Sequence, residues 1–122
     1  MIVHYVLEGH EPRPVEDALE WARWFETADR HVARTDLVDG SWISTVFLGL
    51  DHSFDLGPPV LFETCLFFHE DVEPGSYIGD QKVQSSEVRA RYRTWAEAEQ
   101  GHMEICEELA SALPAWNARS LP

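Results

Sequence analysis

Asp51 and His52 stand side by side in the stretch STVFLGLDHSFDLGPPVLFETCLFF, residues 44–68, and Glu63 lies alone in its second apolar run. A carboxylate beside an imidazole can orient a general base or hold a metal. A lone carboxylate in a strand can serve as an acid if its surroundings raise its pKa. The spacing favours structure over chemistry. Adjacent side chains seldom meet well, and no nucleophile or third ligand follows at a diagnostic interval. Asp and His also both suit the turn that ends a strand. Glu63, if it faces a core, must be paired or protonated, and Thr45, Thr64, His52 or an arginine could satisfy it. Asp51, His52 and Glu63 are therefore expected to be structural polar residues, with a small hydrolase using His52 with Asp51 or Glu63 as the competing reading. That hydrolase requires His52 and Glu63 to converge in a cleft.

Two other groups of charges stand out. Arg89, Arg91 and Arg93 alternate in EVRARYR, which predicts a row of guanidinium groups on one face of one strand. Such a row can bind phosphate or carboxylate, so it is a candidate site for a small nucleotide-type anion. It can equally be paired with the chain's own carboxylates. Glu97, Glu104, Glu107 and Glu108 fall in a segment, Thr94 to Ala118, that has no Lys or Arg. They form a candidate surface for a basic protein. The six histidines are scattered, with no spaced pair of the kind that binds metal, and His102 falls on an apolar stripe where a hydrogen-bonded core histidine is expected. No glycine-rich phosphate loop, nucleophile elbow or paired-cysteine zinc motif occurs, so no cofactor and no metal is expected.

The whole chain carries 22 acidic against nine basic residues, a formal net charge of −13. That balance disfavours direct nucleic-acid binding and anionic membrane surfaces and favours cationic partners. Cys65 and Cys106 both sit in apolar surroundings and read as small hydrophobes in a reducing compartment. No apolar run approaches the ~20 residues of a membrane span, and the start, broken by His4, Tyr5 and Glu8, does not read as a signal peptide. A cytoplasmic protein is expected.

The elements that must position these residues follow from periodicity. The 122 residues suit one domain, 1–113, with a tail over 114–122 after Pro114. Residues 2–7 read as a strand, and GHEPRP as a break. A helix follows over 15–28, with Pro14 in its first turn and a stripe of Val15, Ala18, Leu19, Ala22 and Phe25 that has Trp21 and Trp24 at its edges. Strands are expected at 31–38, 41–50, 60–68 and 87–93, with a two-residue turn at Asp39-Gly40 and a polar insert over 70–86. Thr94 and Glu97 form a capping box that opens a second helix, whose stripe is Trp95, Ala98, His102, Ile105, Leu109 and Ala112. The sum is an α+β domain, a mostly antiparallel sheet of about five strands with two main helices packed on it. One sheet face is left partly exposed, which suits a homodimer.

The segments WFETADRHVARTDLVDGSWISTVFLGLDHSF, GPPVLFETCLF and RYRTWAEAEQGH carry a resemblance. The chain resembles an uncharacterised family of small proteins encoded in bacteriophage genomes and in phage-like regions of bacterial genomes. Their pattern is similar to STVFLGLDH, a proline-containing loop, LLFETM, and a Tyr-Thr-Trp segment opening a helix that ends near Gly-His. The likeness covers about residues 21–70 and 91–105 and includes Asp51, His52, Glu63 and the Thr94-Trp95 helix start. The chain differs in having Cys65 where methionine is usual and in a longer acidic insert at 70–86. The resemblance implies no activity and no catalytic residue. It implies a phage gene expressed in a bacterial host's cytoplasm. With the charge, it yields the expectation of a non-enzymatic, acidic binding protein that modulates a host protein with a basic surface, defence proteins among the candidates. The alternatives are the anion binder at the arginine row, with a concave pocket at a dimer interface, and the hydrolase.

Overall fold

A computed structural model describes residues 3–38, 40–68 and 86–112, and the backbone of the short strands at 77–78 and 81–82. The chain is an α+β fold. It opens with an antiparallel hairpin of β1 (His4–Glu8) and β2 (Glu11–Val15), followed by helix α1 (Ala18–Thr27). β3 (His31–Asp36), β4 (Trp42–Phe47), β5 (Phe62–Phe67) and β8 (Ser86–Tyr92) form an antiparallel sheet in the order β3-β4-β5-β8. Between β5 and β8 lies a second small hairpin, β6 (Tyr77–Ile78) with β7 (Gln81–Lys82). Helix α2 (Trp95–Ala112) closes the described chain. The rest of the polar insert, Asp39 of the expected turn and the tail over 114–122 lie outside the described residues.

Alternation on the central strands decides where the core sits. Ile43, Thr45 and Phe47 of β4 and Phe62, Thr64 and Leu66 of β5 are buried on one face, and α2 lies against it with Ala98, His102 and Ile105. Completely burying Phe47, Phe62, Ile43 and Leu61 contributes roughly 1.5–3 kcal/mol for each side chain. The α2 stripe matches the 3.6-residue period, and its capping box forms. Thr94 N–H donates to Glu97 Oε1 at 3.1 Å, and Glu97 N–H donates to Thr94 Oγ1 at 3.1 Å.

Three expectations are corrected. The first strand does not join the main sheet; it pairs with residues 11–15, where a break and a helix start were expected, so the main sheet has four strands. Pro12 and Pro14 suppress a strand signal, but β2 pairs on one side only, where missing N–H groups cost no ladder bond. α1 therefore starts later, with Asp17 as N-cap accepting from Leu19 N–H at 2.9 Å. Its inward stripe is also rotated. Leu19 is 58% exposed, whereas Trp21, Trp24 and Phe25 are half-buried, because three rings at i, i+3 and i+4 cover more apolar area than alanines do. Trp21 and Phe25 press on Gly49, where a β-carbon would come within 3.1 Å of Trp21 Nε1.

Candidate functional site: a clamped loop, an acidic helix and a buried polar row

The loop between β4 and β5 is held by its own carboxylates. Asp51 Oδ1 accepts from Ser53 N–H at 2.8 Å and from Val60 N–H at 2.9 Å, and Oδ2 accepts from Ser53 Oγ at 2.9 Å. Partial desolvation pushes the Asp51 carboxyl up, but these hydrogen bonds outweigh it and hold its pKa below the ordinary value. Neither oxygen is hydrogen-bonded to His52. His52 Nδ1 instead donates to Leu50 O at 2.9 Å, and its N–H donates to Val60 O at 2.9 Å. A carbonyl can only accept, so Nδ1 carries the proton in the neutral ring. Further along, Asp55 Oδ1 accepts from Gly57 N–H at 2.8 Å and from Arg93 Nη2 at 3.3 Å, while Arg93 Nε donates to Pro58 O at 2.8 Å.

The clamp presents Phe54 and Leu56 to solvent. Phe54 is 98% exposed and Leu56 fully so. Beside them lies a cleft of about 390 Å³ walled by His52, Val60, Arg91, Tyr92, Arg93 and Glu97. Periodicity marks 51–59 only as a loop and singles out neither side chain. Two large apolar residues inside a turn-rich segment, far from either strand's alternation, were the available signal.

The arginine row is not formed. Thr64 pairs with Ala90 but Cys65 with Val88, so Arg89 is the extra residue of a β-bulge. Arg89 reaches toward α2, bonding Glu87 at 3.2 Å and Glu108 at 3.4 Å. Arg91 lies on the other face, where its Nε donates to Glu63 Oε2 at 2.8 Å. Arg93 leaves the sheet for the loop. Each guanidinium thus has a carboxylate of its own, and only Arg91 and Arg93 share a cleft. Glu63 is also the acceptor for the Cys65 thiol at 3.2 Å. Burial first, then Glu63, pushes that thiol up to about 12, with Arg91 opposing. Glu63 does not wall the cleft that holds His52, so the convergence a hydrolase needs is not present there.

Along α2 the predicted acidic residues take different positions. Glu97 is engaged in the capping box. Glu104 accepts from Gln100 Nε2 at 3.1 Å, and Glu108 meets Arg89. Glu107 is exposed and makes no hydrogen bond among the described residues, and Met103, one turn before it, is 59% exposed. A second cleft, about 360 Å³, runs between α2 and β8, with Arg89, Tyr92, Gly101, Glu104 and Glu108 in its walls.

Under α2 a polar row crosses the entire main sheet. Thr35 Oγ1 lies 2.9 Å from His102 Nε2, His102 Nδ1 lies 2.7 Å from Thr45 Oγ1, and Thr45 Oγ1 lies 2.5 Å from Thr64 Oγ1. Thr64 Oγ1 then donates to Tyr92 Oη at 3.1 Å. Each of the four strands gives one hydroxyl, and α2 gives the imidazole. A hydroxyl has one hydrogen. With that of Thr64 on Tyr92, Thr45 donates to Thr64, His102 Nδ1–H donates to Thr45, and Thr35 donates to Nε2. The row is complete with neutral His102, which is only 3% exposed and whose pKa burial lowers. This is a pin between helix and sheet. Of its five members, the sequence singled out His102 alone for this role.

No family model, curated protein or solved structure matches the chain. Among the described residues no group of three or more His, Cys, Asp or Glu could hold a metal ion, and no helix is long and apolar enough to cross a membrane.

Proposed function

We propose that this is a non-enzymatic acidic binding protein whose α2 outer face docks on a basic protein surface. The observation that carries this reading is the setting of Met103, an exposed, adaptable apolar side chain flanked by the exposed carboxylates of Glu104 and Glu107 on a helix with five Glu and no Lys or Arg. Glu104 and Glu108, four residues apart, repel each other, a small cost that a cationic partner would relieve. The chain's charge of −13 would steer such a partner in from a distance and make association fall steeply with salt. In the phage setting that the resemblance implies, the partner is a host protein whose basic surface serves nucleic acid, and occupying that surface is the modulation. The pairing of all three arginines with carboxylates weighs against the anion binder.

The test compares wild-type protein with the triple variant Glu104→Gln, Glu107→Gln, Glu108→Gln as bait in a bacterial cytosolic extract, at low and at physiological salt. Recovery of basic proteins by wild type, lost in a triple variant of unchanged thermal stability, is expected. A recovered set that is the same for both baits at low salt would rule out α2 as the interface.

A further inference from the structure

The edge of the main sheet beside α2 is not explained by a charged helix alone. The strand order β3-β4-β5-β8 leaves β8 paired on one side only, and among the described residues no strand covers its outer edge. Such an edge offers backbone N–H and C=O groups to any chain that lies along it. β8 carries neither proline nor lysine, residues that commonly close an edge. Alongside runs the cleft of about 360 Å³, with β8 as one wall and a single stripe of α2, Gly101, Glu104, Ile105 and Glu108, as the other. An open edge strand with a groove and a helix beside it is a setting for strand addition. The incoming backbone pairs with the edge, and every second side chain enters the groove.

We infer that β8 takes an extended basic segment of the partner as an added strand, with arginine or lysine at alternate positions in the α2 groove and apolar residues between them. This rests on the acidic-face reading above and names the kind of segment that face receives. Charge selects the occupant. The groove walls hold Glu87, Glu104 and Glu108 against Arg89 alone. Neighbouring arginines do not offset that excess, because Arg91 is paired with Glu63 on the other face and Arg93 with Asp55 of the loop. A second copy of this chain would lay an identical acidic groove against this one, so like charges oppose it.

The two faces of β8 select the alternation. Toward α2 the groove is lined by Ala90, Ile105 and the Tyr92 ring, apolar surface for the methylenes of an arginine whose guanidinium lies among the carboxylates. On the face away from α2, Val88 stands opposite Cys65 and is 50% exposed, so an apolar cross-strand neighbour covers it. In the free protein Arg89 holds the basic position. The bulge turns it toward α2, where it bonds Glu87 at 3.2 Å and Glu108 at 3.4 Å. A guanidinium from the partner competes with it for Glu108, which makes Arg89 a built-in competitor for the groove.

The experiment is fluorescence anisotropy of a labelled, end-blocked peptide alternating arginine and valine, titrated with the full chain. Two further peptides carry backbone N-methyl groups, one on its arginines and the other on its valines, and all three have the same charge. Alternate residues of a strand turn their N–H groups to opposite edges, so only one methylated peptide loses its donors to β8. That peptide should bind roughly ten-fold or more weakly than the other. Arg89→Gln should tighten the unmethylated peptide about three-fold more than Arg34→Gln, which makes the same charge change on β3 at the opposite edge of the sheet. Equal binding of the two methylated peptides would overturn the added strand. If the triple Gln variant still lost its basic proteins in the extract, the acidic-face reading would stand without it. An Arg89→Gln effect no larger than that of Arg34→Gln would also overturn the inference, since the basic side chains would not enter the groove. Peptide binding unchanged in the triple Gln variant would overturn both readings.

Discussion

The ring of Tyr92 fills the space that a β-carbon on Gly101 would occupy. Tyr92 cannot easily give way, because Thr64 holds its hydroxyl and its ring packs on the Phe47–Phe62 cluster. This contact inverts an ordinary rule. Gly→Ala inside a helix normally stabilises by about 1 kcal/mol. Gly101→Ala should instead destabilise by about 1–3 kcal/mol, the usual range for overpacking. Urea denaturation settles it, with an exposed position such as Gln100→Ala as the control. A stabilised Gly101→Ala would mean that Tyr92 does not lie there.

His102 predicts a pH dependence. The ring titrates near 6.5 in an unfolded chain and lower in the fold, where burial disfavours its charge. Between those two values the unfolded chain holds the extra proton. Stability from this group is therefore complete above about 6.5 and falls as pH drops below it. His102→Leu should remove that slope. It should also cost about 1–3 kcal/mol at neutral pH, because the hydroxyls of Thr35 and Thr45 lose their partner. Thermal melts between mildly acidic and neutral pH check both. An unchanged slope in the variant would assign it to other groups.

What the sequence disclosed and what it hid differ by range. The Thr94–Glu97 capping box and the Ala98, His102, Ile105 stripe are written within a few residues and appear as expected. The strand pair around Asp51 was equally legible, since both runs are apolar and share a turn. The polar row was not. Thr35, Thr45, Thr64 and Tyr92 are distant in sequence; strand pairing sets only Thr45 opposite Thr64, while Thr35 and Tyr92, each two residues out of register, join through His102 and the long phenol. The bulge at Arg89 is likewise a property of the pairing, and it broke an alternation that the sequence shows cleanly. α1 was misread for a different reason. Phe25 faces inward as its spacing predicts, but Ala18, Leu19 and Ala22 are exposed, and the larger area of Trp21 and Trp24, at the edges of the expected stripe, takes their place.

Asp51 should govern the order of the loop more than the stability of the fold. Asp51→Ala removes the acceptor for Ser53 N–H, Val60 N–H and Ser53 Oγ together. Amide exchange at Ser53 and Val60 should accelerate strongly, with the amides of β4 and β5 little changed. Asp51→Asn keeps a carbonyl oxygen for both N–H groups and loses only the acceptor for the Ser53 hydroxyl, so its exchange should stay close to wild type. The carboxyl's pKa lies below 3.8, so protonation should free the loop only as pH falls below that value. Exchange at Ser53 and Val60 that ignores Asp51→Ala would show that the Asp51 hydrogen bonds do not order the loop.

Cys65 should be unreactive in the folded protein. Burial and the neighbouring Glu63 carboxylate raise its thiol to about 12, so at mildly alkaline pH almost none is thiolate, the form that alkylates. Glu63→Gln removes the negative charge and keeps a hydrogen-bonding side chain beside the sulfur. Alkylation should then quicken, though not to the rate of the unfolded chain, because burial, the larger cause, remains. Peptide mapping after timed iodoacetamide treatment separates Cys65 from Cys106 and reads each rate. The raised pKa has one further consequence. In an unfolded chain the thiol ionises near 9, so in the fold it binds its proton more tightly, and stability from this group is kept below pH 9 and lost as pH rises from 9 toward 12. Cys65→Ser or Glu63→Gln should each flatten that alkaline loss. If neither does, and Cys65 labels as fast in the native protein as in urea, the Glu63–Cys65 contact does not control the thiol.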